Sequence, residues 1–188
     1  MAIFFTSDTH YYHSNIIKHC DRPYSCIEEM HEQLIKNWNR KVTSQDETYI
    51  LGDFALHHKP MYIAAILMQL NGTKRLMKGN HDRTKTWNKL KYFDIPNVIF
   101  EPAYLELNDN DQKIVLCHYP FLSWNNMHHG SLHFHGHCHG NIPSTNQRYD
   151  VGIDNNDYHP ISLSGIREKL KTLPKHRSHE KDHHQVGG

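Results

Sequence analysis

Apolar residues along the chain follow two patterns. In the first, a short run rich in β-branched and aromatic residues ends in a polar cluster. Residues 2–6 run into Asp8 and His10, 48–51 into Gly52 and Asp53, and 75–77 into Gly79, Asn80, His81 and Asp82. Residues 113–117 run into His118, and 132–134 into Gly136, His137, Cys138 and His139. Runs of that length and composition predict strands. In the second pattern the spacing is helical. Ile27, Met30, Leu34, Ile35 and Trp38 recur on one face, with Ser25 as N-cap and Glu28 completing a capping box. Pro60 opens a second helix bearing Ile63, Ile66, Leu67 and Leu70, stopped by Asn71 and Gly72. Trp87 and Leu90 mark a short third helix, and Ile166, Leu170 and Leu173 a last one, broken by Pro174.

Alternation of strand and helix predicts an α/β architecture. In such folds polar residues just past strand C-termini line the functional crevice, and the five polar clusters fall there. Residues 108–111 predict a turn between two strands. Residues 149–154, followed by His159 and Pro160, predict another strand and turn, to which no chemistry is assigned. Beyond Lys175 apolar residues almost vanish. The expected organisation is therefore a single domain over 1–174 and a flexible His-rich tail over 175–188.

Composition narrows the picture. A chain of 188 residues with 11% aromatic content can bury one core. No apolar run approaches the roughly 20 residues of a membrane helix, and the first residues lack a basic leader. The expectation is a soluble, cytoplasmic protein without membrane partners. Net charge of +1 provides no global field for nucleic acid or membranes. Cys20, Cys26, Cys117 and Cys138 lack the paired spacing of a zinc ribbon, so reduced thiols are expected. Histidine stands out at 19 residues, and neutral imidazole is a common transition-metal ligand.

The five clusters together suit one chemistry. Two divalent cations about 3.5–4 Å apart need a carboxylate able to bridge them, with imidazole and oxygen ligands around each. Asp8 and His10, alternate residues at a strand end, can reach one ion. His137 and His139 can do the same or face two different ions. Taken singly each block is weak; five in order, each after a predicted strand, are not. The candidate ligands are Asp8, His10, Asp53, Asn80, His118, His137 and His139.

The order Asp-x-His, Gly-Asp, Gly-Asn-His-Asp, His and Gly-His-x-His resembles the signature of the calcineurin-like metallophosphoesterase superfamily, over residues 8–139. The resemblance implies a four-layer αββα sandwich of two mixed sheets with a dinuclear centre at strand ends. It implies that Asp8, His10, Asp53 and His139 hold one ion. Asp53 then bridges to a second, held also by Asn80, His118 and His137. It further implies that His81 contacts the phosphate and helps the leaving group depart, with Asp82 orienting it. The implied reaction is in-line attack by a metal-bridging hydroxide. Manganese is expected first, with iron, zinc, cobalt or nickel as alternatives.

The chain departs from the protein-phosphatase branch. No arginine follows Gly52 and Asp53, and the fourth block ends in Asp82 rather than glutamate. About 35 residues separate Asp82 from His118, too few for a cap domain. An open site suits phosphodiesters, so the expected activity is a phosphodiesterase acting on a nucleotide or a nucleic-acid end. The alternatives are a phosphomonoesterase or a non-catalytic scaffold. Residues 13–22 resemble small bacterial and phage members, and His13, Arg22, Asn80 and Arg83 are expected to bind the phosphate. Trp124, Met127, His128 and His129 are expected to wall the leaving group, with Trp124 stacking on a base.

Overall fold

The computed structural model describes residues 1–177; residues 178–188, most of the expected tail, lie outside the described residues. In chain order the elements are β1 (Ile3–Thr6), α1 (Asn15–His19), α2 (Ile27–Lys41), β2 (Glu47–Leu51) and α3 (Pro60–Leu67). Then come β3 (Thr73–Met77), α4 (Thr84–Leu90), β4 (Val98–Phe100), β5 (Tyr104–Asp109) and β6 (Gln112–Cys117). Last are β7 (Leu132–His135), β8 (Arg148–Asp150), β9 (Ile161–Ser162) and α5 (Leu163–Leu170).

The strands form two mixed sheets, as the αββα reading requires. The first has five strands in the order β4-β3-β2-β1-β9, parallel except for β9. The second has four, β5-β6-β7-β8, with only the β5–β6 pair antiparallel.

Alternation along each strand sends successive side chains to opposite faces, and here both faces are covered. Phe4, Ile50 and Leu76 face the helices, packing with Met30, Leu34 and Trp38 of α2, Ile63 and Leu67 of α3, and Trp87 and Leu90 of α4. Phe5, Tyr49, Leu51 and Met77 face the other sheet, meeting Ile114, Leu116, Leu132 and Phe134. This two-sided burial explains why the strands read as continuous apolar runs. Phe134, fully buried between the sheets, meets Phe5 edge-to-face at 4.9 Å. Residues Leu163, Ile166 and Leu170 bring α5 into the inter-sheet core. On the far face of the second sheet, Val115 is covered by Trp124, Met127 and Phe121. The outermost layer there is thus a loop with a single 3-10 turn over Met127–His129. Among the described residues no helix is long and apolar enough to cross a membrane.

Two local expectations shift. The N-cap of α2 is Cys26, and Ser25 pairs with Glu29: its backbone N–H and hydroxyl both donate to that carboxylate, at 2.7 and 2.5 Å. Glu28 is one residue short of that return reach. The start of the tail is docked: the His176 N–H donates to Asn146 Oδ1 at 2.8 Å, and its ring lies 4.8 Å from Trp124.

Candidate metal centre

The seven candidate ligands meet along the seam between the sheets. Past β1, residues 8–11 run beside residues 53–55 and 52: Asp8 N–H donates to Gly52 O (3.1 Å), His10 N–H to Asp53 O (3.0 Å) and Tyr11 N–H to Phe54 O (2.9 Å). Across the seam, His137 N–H donates to Asp8 Oδ2 at 2.9 Å. From the loop after β3, His81 N–H donates to Asp53 Oδ1 at 2.8 Å. Each of these carboxylates therefore has one oxygen held by a backbone amide and the other turned into the centre.

Two groups of donors result. Asp8, His10 and His139 form one and Asp53, His118 and His137 the other, with ligand atoms in each group within 4.8 Å of one another. Asp53 Oδ2 stands between them, 3.8 Å from His10 Nε2 and 3.3 Å from His118 Nε2. Asn80 Oδ1 lies 3.0 Å from the same His118 nitrogen. Five of the seven residues have left-handed backbones: φ is 58° at Asp8, 52° at His10, 52° at Asp53, 71° at His137 and 48° at His139. Such conformations cost of order 1–3 kcal/mol each outside glycine and persist only where the surroundings dictate them. Gly79 and Gly136 allow the close approach, since a Cβ at either position would collide with Asp53 Oδ1 or Asp8 Oδ2.

The residues fit divalent cations. Asp8 Oδ1 and His10 Nε2 are buried, have no hydrogen-bond partner and lie 3.9 Å apart. Two buried orphans facing each other are costly unless something positive lies between them. Burial pushes the His10 imidazole down to about 2, so it is the neutral, ligating form. His118 places Nδ1 2.8 Å from Leu51 O, which fixes the ring proton there and leaves the Nε2 lone pair facing Asp53 and Asn80 oxygens. Without a cation that contact draws a proton: despite burial, the Asp53 carboxylate raises the His118 pKa. Asp53, which burial alone would raise, is held down at about 2 by His118 and the His81 amide. Asp8 is pushed up to about 7 by burial, which His139 and His118 only partly offset.

His139 is held from behind. Its Nδ1 donates to Asp154 Oδ2 at 2.7 Å, and Asp154 receives Arg22 Nε and Nη2 at 2.8 and 2.9 Å. Arg22 also donates to Thr9 O (3.0 Å), Asp8 O (2.7 Å) and Met30 Sδ (3.5 Å). Its side chain is fully buried and all its donors are engaged, so Arg22 cannot reach a phosphate as expected; it positions His139 and the Asp8 backbone. Cys20, His139 and Asp154 form a further donor group, with Cys20 Sγ 3.3 Å from His139 Nδ1. Arg22 already neutralises Asp154, which disfavours a cation there.

Asp82 also departs from expectation. Its carboxylate accepts N–H groups from Gly79 (2.8 Å), Asp53 (2.8 Å), Phe54 (3.1 Å) and Ala55 (3.2 Å), bracing the loop after β2; among the described hydrogen bonds none joins it to the His81 side chain. Burial pushes its pKa up to about 6 against the pull of those amides. Trp124 is not a wall for a base: it is buried, and its Nε1 donates to Ser131 Oγ at 3.0 Å. Met127 is buried with it, while His128 and His129 are exposed.

His13 and His81 are brought to the mouth of the centre, their rings 5.2 Å from the His10 ring and 5.5 Å from each other. Asn80 and His137 are exposed there, as is Arg83 at the start of α4. Asp154 was invisible as a functional residue in the sequence. It lies 15 residues from His139 and 132 from Arg22, in the segment to which no chemistry was assigned.

No family model matches the chain. The chain is 34% identical over 172 residues to an uncharacterised protein of Methanocaldococcus jannaschii, with 87% of this chain and 88% of that protein covered. A solved structure of a protein of unknown function from Aquifex aeolicus is 27% identical, with a TM-score of 0.66 over 89% of this chain and 98% of that one. The solved structure of an archaeal phosphodiesterase is 20% identical, with a TM-score of 0.50 over 81% of this chain and 82% of that one; this is a likeness of fold.

Proposed function

The chain belongs to one family with the M. jannaschii protein, and we propose that it is a calcineurin-like metallophosphoesterase, a metal-dependent phosphodiesterase with a dinuclear centre. The observation that carries the reading is the position of Asp53 Oδ2 between two donor groups, in the first of which the buried Asp8 Oδ1 and His10 Nε2 have no hydrogen-bond partner. Asp8, His10, Asp53 and His139 would hold one divalent ion; Asp53, Asn80, His118 and His137 would hold the other. Bound there, the ions supply Lewis-acid charge and a water of lowered pKa.

The remaining work falls to the chain itself. His81 is anchored by its N–H on Asp53, with its ring beside His10 at the mouth of the centre, and would meet the leaving oxygen of a bound phosphoester. It hydrogen-bonds to or protonates that oxygen. Asn80, whose oxygen is engaged with His118, has its amide N–H groups for a phosphate oxygen. His13 and the exposed Arg83 supply further donors at the rim. Residues after Asp82 form α4 and β4 instead of a cap, so groups on both sides of a phosphorus atom have room. That openness favours diesters over monoesters.

The test is metal-stripped protein reconstituted with manganese, iron, zinc, cobalt or nickel and assayed on p-nitrophenyl phosphate and bis-p-nitrophenyl phosphate. Turnover of the diester is expected, best with manganese. Turnover of the monoester alone would replace the diesterase by a phosphatase. No turnover with any ion would leave a non-catalytic scaffold.

A further inference from the structure

The ladder that holds Asp8, His10 and Asp53 does not stop at the centre. Leu56 N–H donates to Tyr11 O at 2.9 Å, so the two ligand-bearing segments end together in Tyr12 and His57. Tyr12 is two residues from His10, at most about 7 Å along the chain. Tyr12 packs against the helix-facing core on one side, and a group of rings extends from it toward the surface. Tyr12 is 5.0 Å from His57 and 5.9 Å from Tyr62; His57 is 4.5 Å from Tyr62 and stacks on His58 at 4.8 Å and 18°. Tyr62 is 43% exposed and His58 is exposed.

The rings are held by their edges. The Tyr12 hydroxyl donates to Tyr62 O at 3.3 Å, and the Tyr12 N–H to His31 Nε2 at 2.8 Å. His57 Nδ1 lies 3.1 Å from the Lys59 amide nitrogen and 3.2 Å from the Lys59 carbonyl oxygen, which tethers the ring to that residue. His57 and His58 occupy one another's faces, so the exposed surfaces of His58 and Tyr62 are what another planar group would meet. The margin is basic: Lys59 Nζ lies 6.0 Å from the Tyr62 ring centroid, and Thr86 Oγ1 donates to His58 O at 3.3 Å, joining this loop to the start of α4 and its exposed Arg83 and Lys85. Among the described residues Glu and Asp take no part in these contacts.

We infer that Tyr12, His57, His58 and Tyr62 form a stacking platform for the nucleobase of a phosphodiester whose phosphate lies at the centre, with Lys59, Arg83 and Lys85 meeting neighbouring phosphates. Exposed aromatic faces, cations at the margin and direct continuity with the ligand ladder are what a single-stranded nucleotide end needs: every base has a face to stack, and its backbone is anionic. The inference rests on the phosphodiesterase reading for the position of the phosphate. It transfers to this cluster the role that the sequence suggested for Trp124.

The test is fluorescence anisotropy of the full-length, manganese-loaded protein against labelled tetrathymidylate and an abasic tetramer of equal charge, both with hydrolysis-resistant phosphorothioate linkages. The base-bearing strand is expected to bind about tenfold more tightly. Tyr62→Ala or His57→Ala removes that preference, and Tyr62→Phe keeps it. Equal or undetectable binding of the two strands, or an undiminished preference in Tyr62→Ala, overturns the platform. Hydrolysis of bis-p-nitrophenyl phosphate, which has no base, separates the two readings. Turnover without base preference removes the platform alone, whereas base preference without turnover under any ion removes the hydrolase alone.

Discussion

The floor and the mouth of the centre are built differently. At the floor, Asp8, His10 and Asp53 are at most 1% exposed, and Arg22 and Asp154 support them from behind. At the mouth, Asn80 and His137 are exposed and His81 is half-buried; His81 and His137 are held through their backbone amides and Asn80 through His118, with no buried ion pair behind them among the described contacts. Burial with satisfied backs pre-organises the floor, so an ion there meets donors already in place. The mouth is left free to exchange water, ligand and product. Structure at depth and adaptability at the surface are thus divided between the buried Asp8, His10 and His118 and the exposed Asn80 and His137, with Asp53 common to both donor groups.

Removing the shared residue should erase the difference. In Asp53→Asn both ions are expected to be lost and turnover to fall by about 10³-fold or more, read by metal analysis and kinetics. Two tightly bound ions with full activity in that variant would sink the assignment. His81→Ala should act at the mouth alone, lowering turnover about 10²-fold or more with both ions retained. Unchanged turnover of a diester with a poor leaving group would take His81 out of the reaction.

Arg22→Ala should act on the floor alone. Breaking the buried pair with Asp154 strands a carboxylate, typically about 3–5 kcal/mol, or on the order of 10 °C in Tm. Asp154→Asn keeps the shape and should weaken the floor ion about 10–100-fold while sparing the mouth ion, as stepwise metal titration would show. If both ions weaken equally, floor and mouth are not independent. Asn80→Ala is the smallest change: a several-fold weaker mouth ion, with Tm of the metal-free protein unmoved because Asn80 is exposed.

Legibility in the sequence followed the same division. The donors stand in five short blocks because each strand end delivers its own pair or triplet, and a local spacing is visible in one dimension. The support behind them is not local. Arg22 and Asp154 meet across 132 residues, and the arginine looked like a surface phosphate ligand because its neighbours in sequence are polar. Asp82 was misread for a related reason: adjacency to His81 suggested a partner, whereas its carboxylate turns to amides 27 to 29 residues away. Trp124 looked available for stacking because the sequence does not tell which face of the second sheet its loop covers. The fold was clearer. Long strands and amphipathic helices declared themselves by period, but β4 and β9, with three and two residues, are too short to show one. Their existence depends on an edge supplied by β3 and β1.

Each donor group draws from both sheets: Asp8 and His10 with His139, and Asp53 with His118 and His137. Residues up to Met77 complete the central strands β1 to β3 of the first sheet, whereas His137 and His139 are synthesised some sixty residues later. On an emerging chain, therefore, no cation can find a whole set of ligands until the second sheet has docked. Once it has, an ion ties the two halves together across their seam, so that metal capture and closure of the molecule become one thermodynamic event. Splitting the chain in the connection between β4 and β5 would yield two pieces that each lack a complete group, and recovery of metal affinity on mixing them would report their reunion.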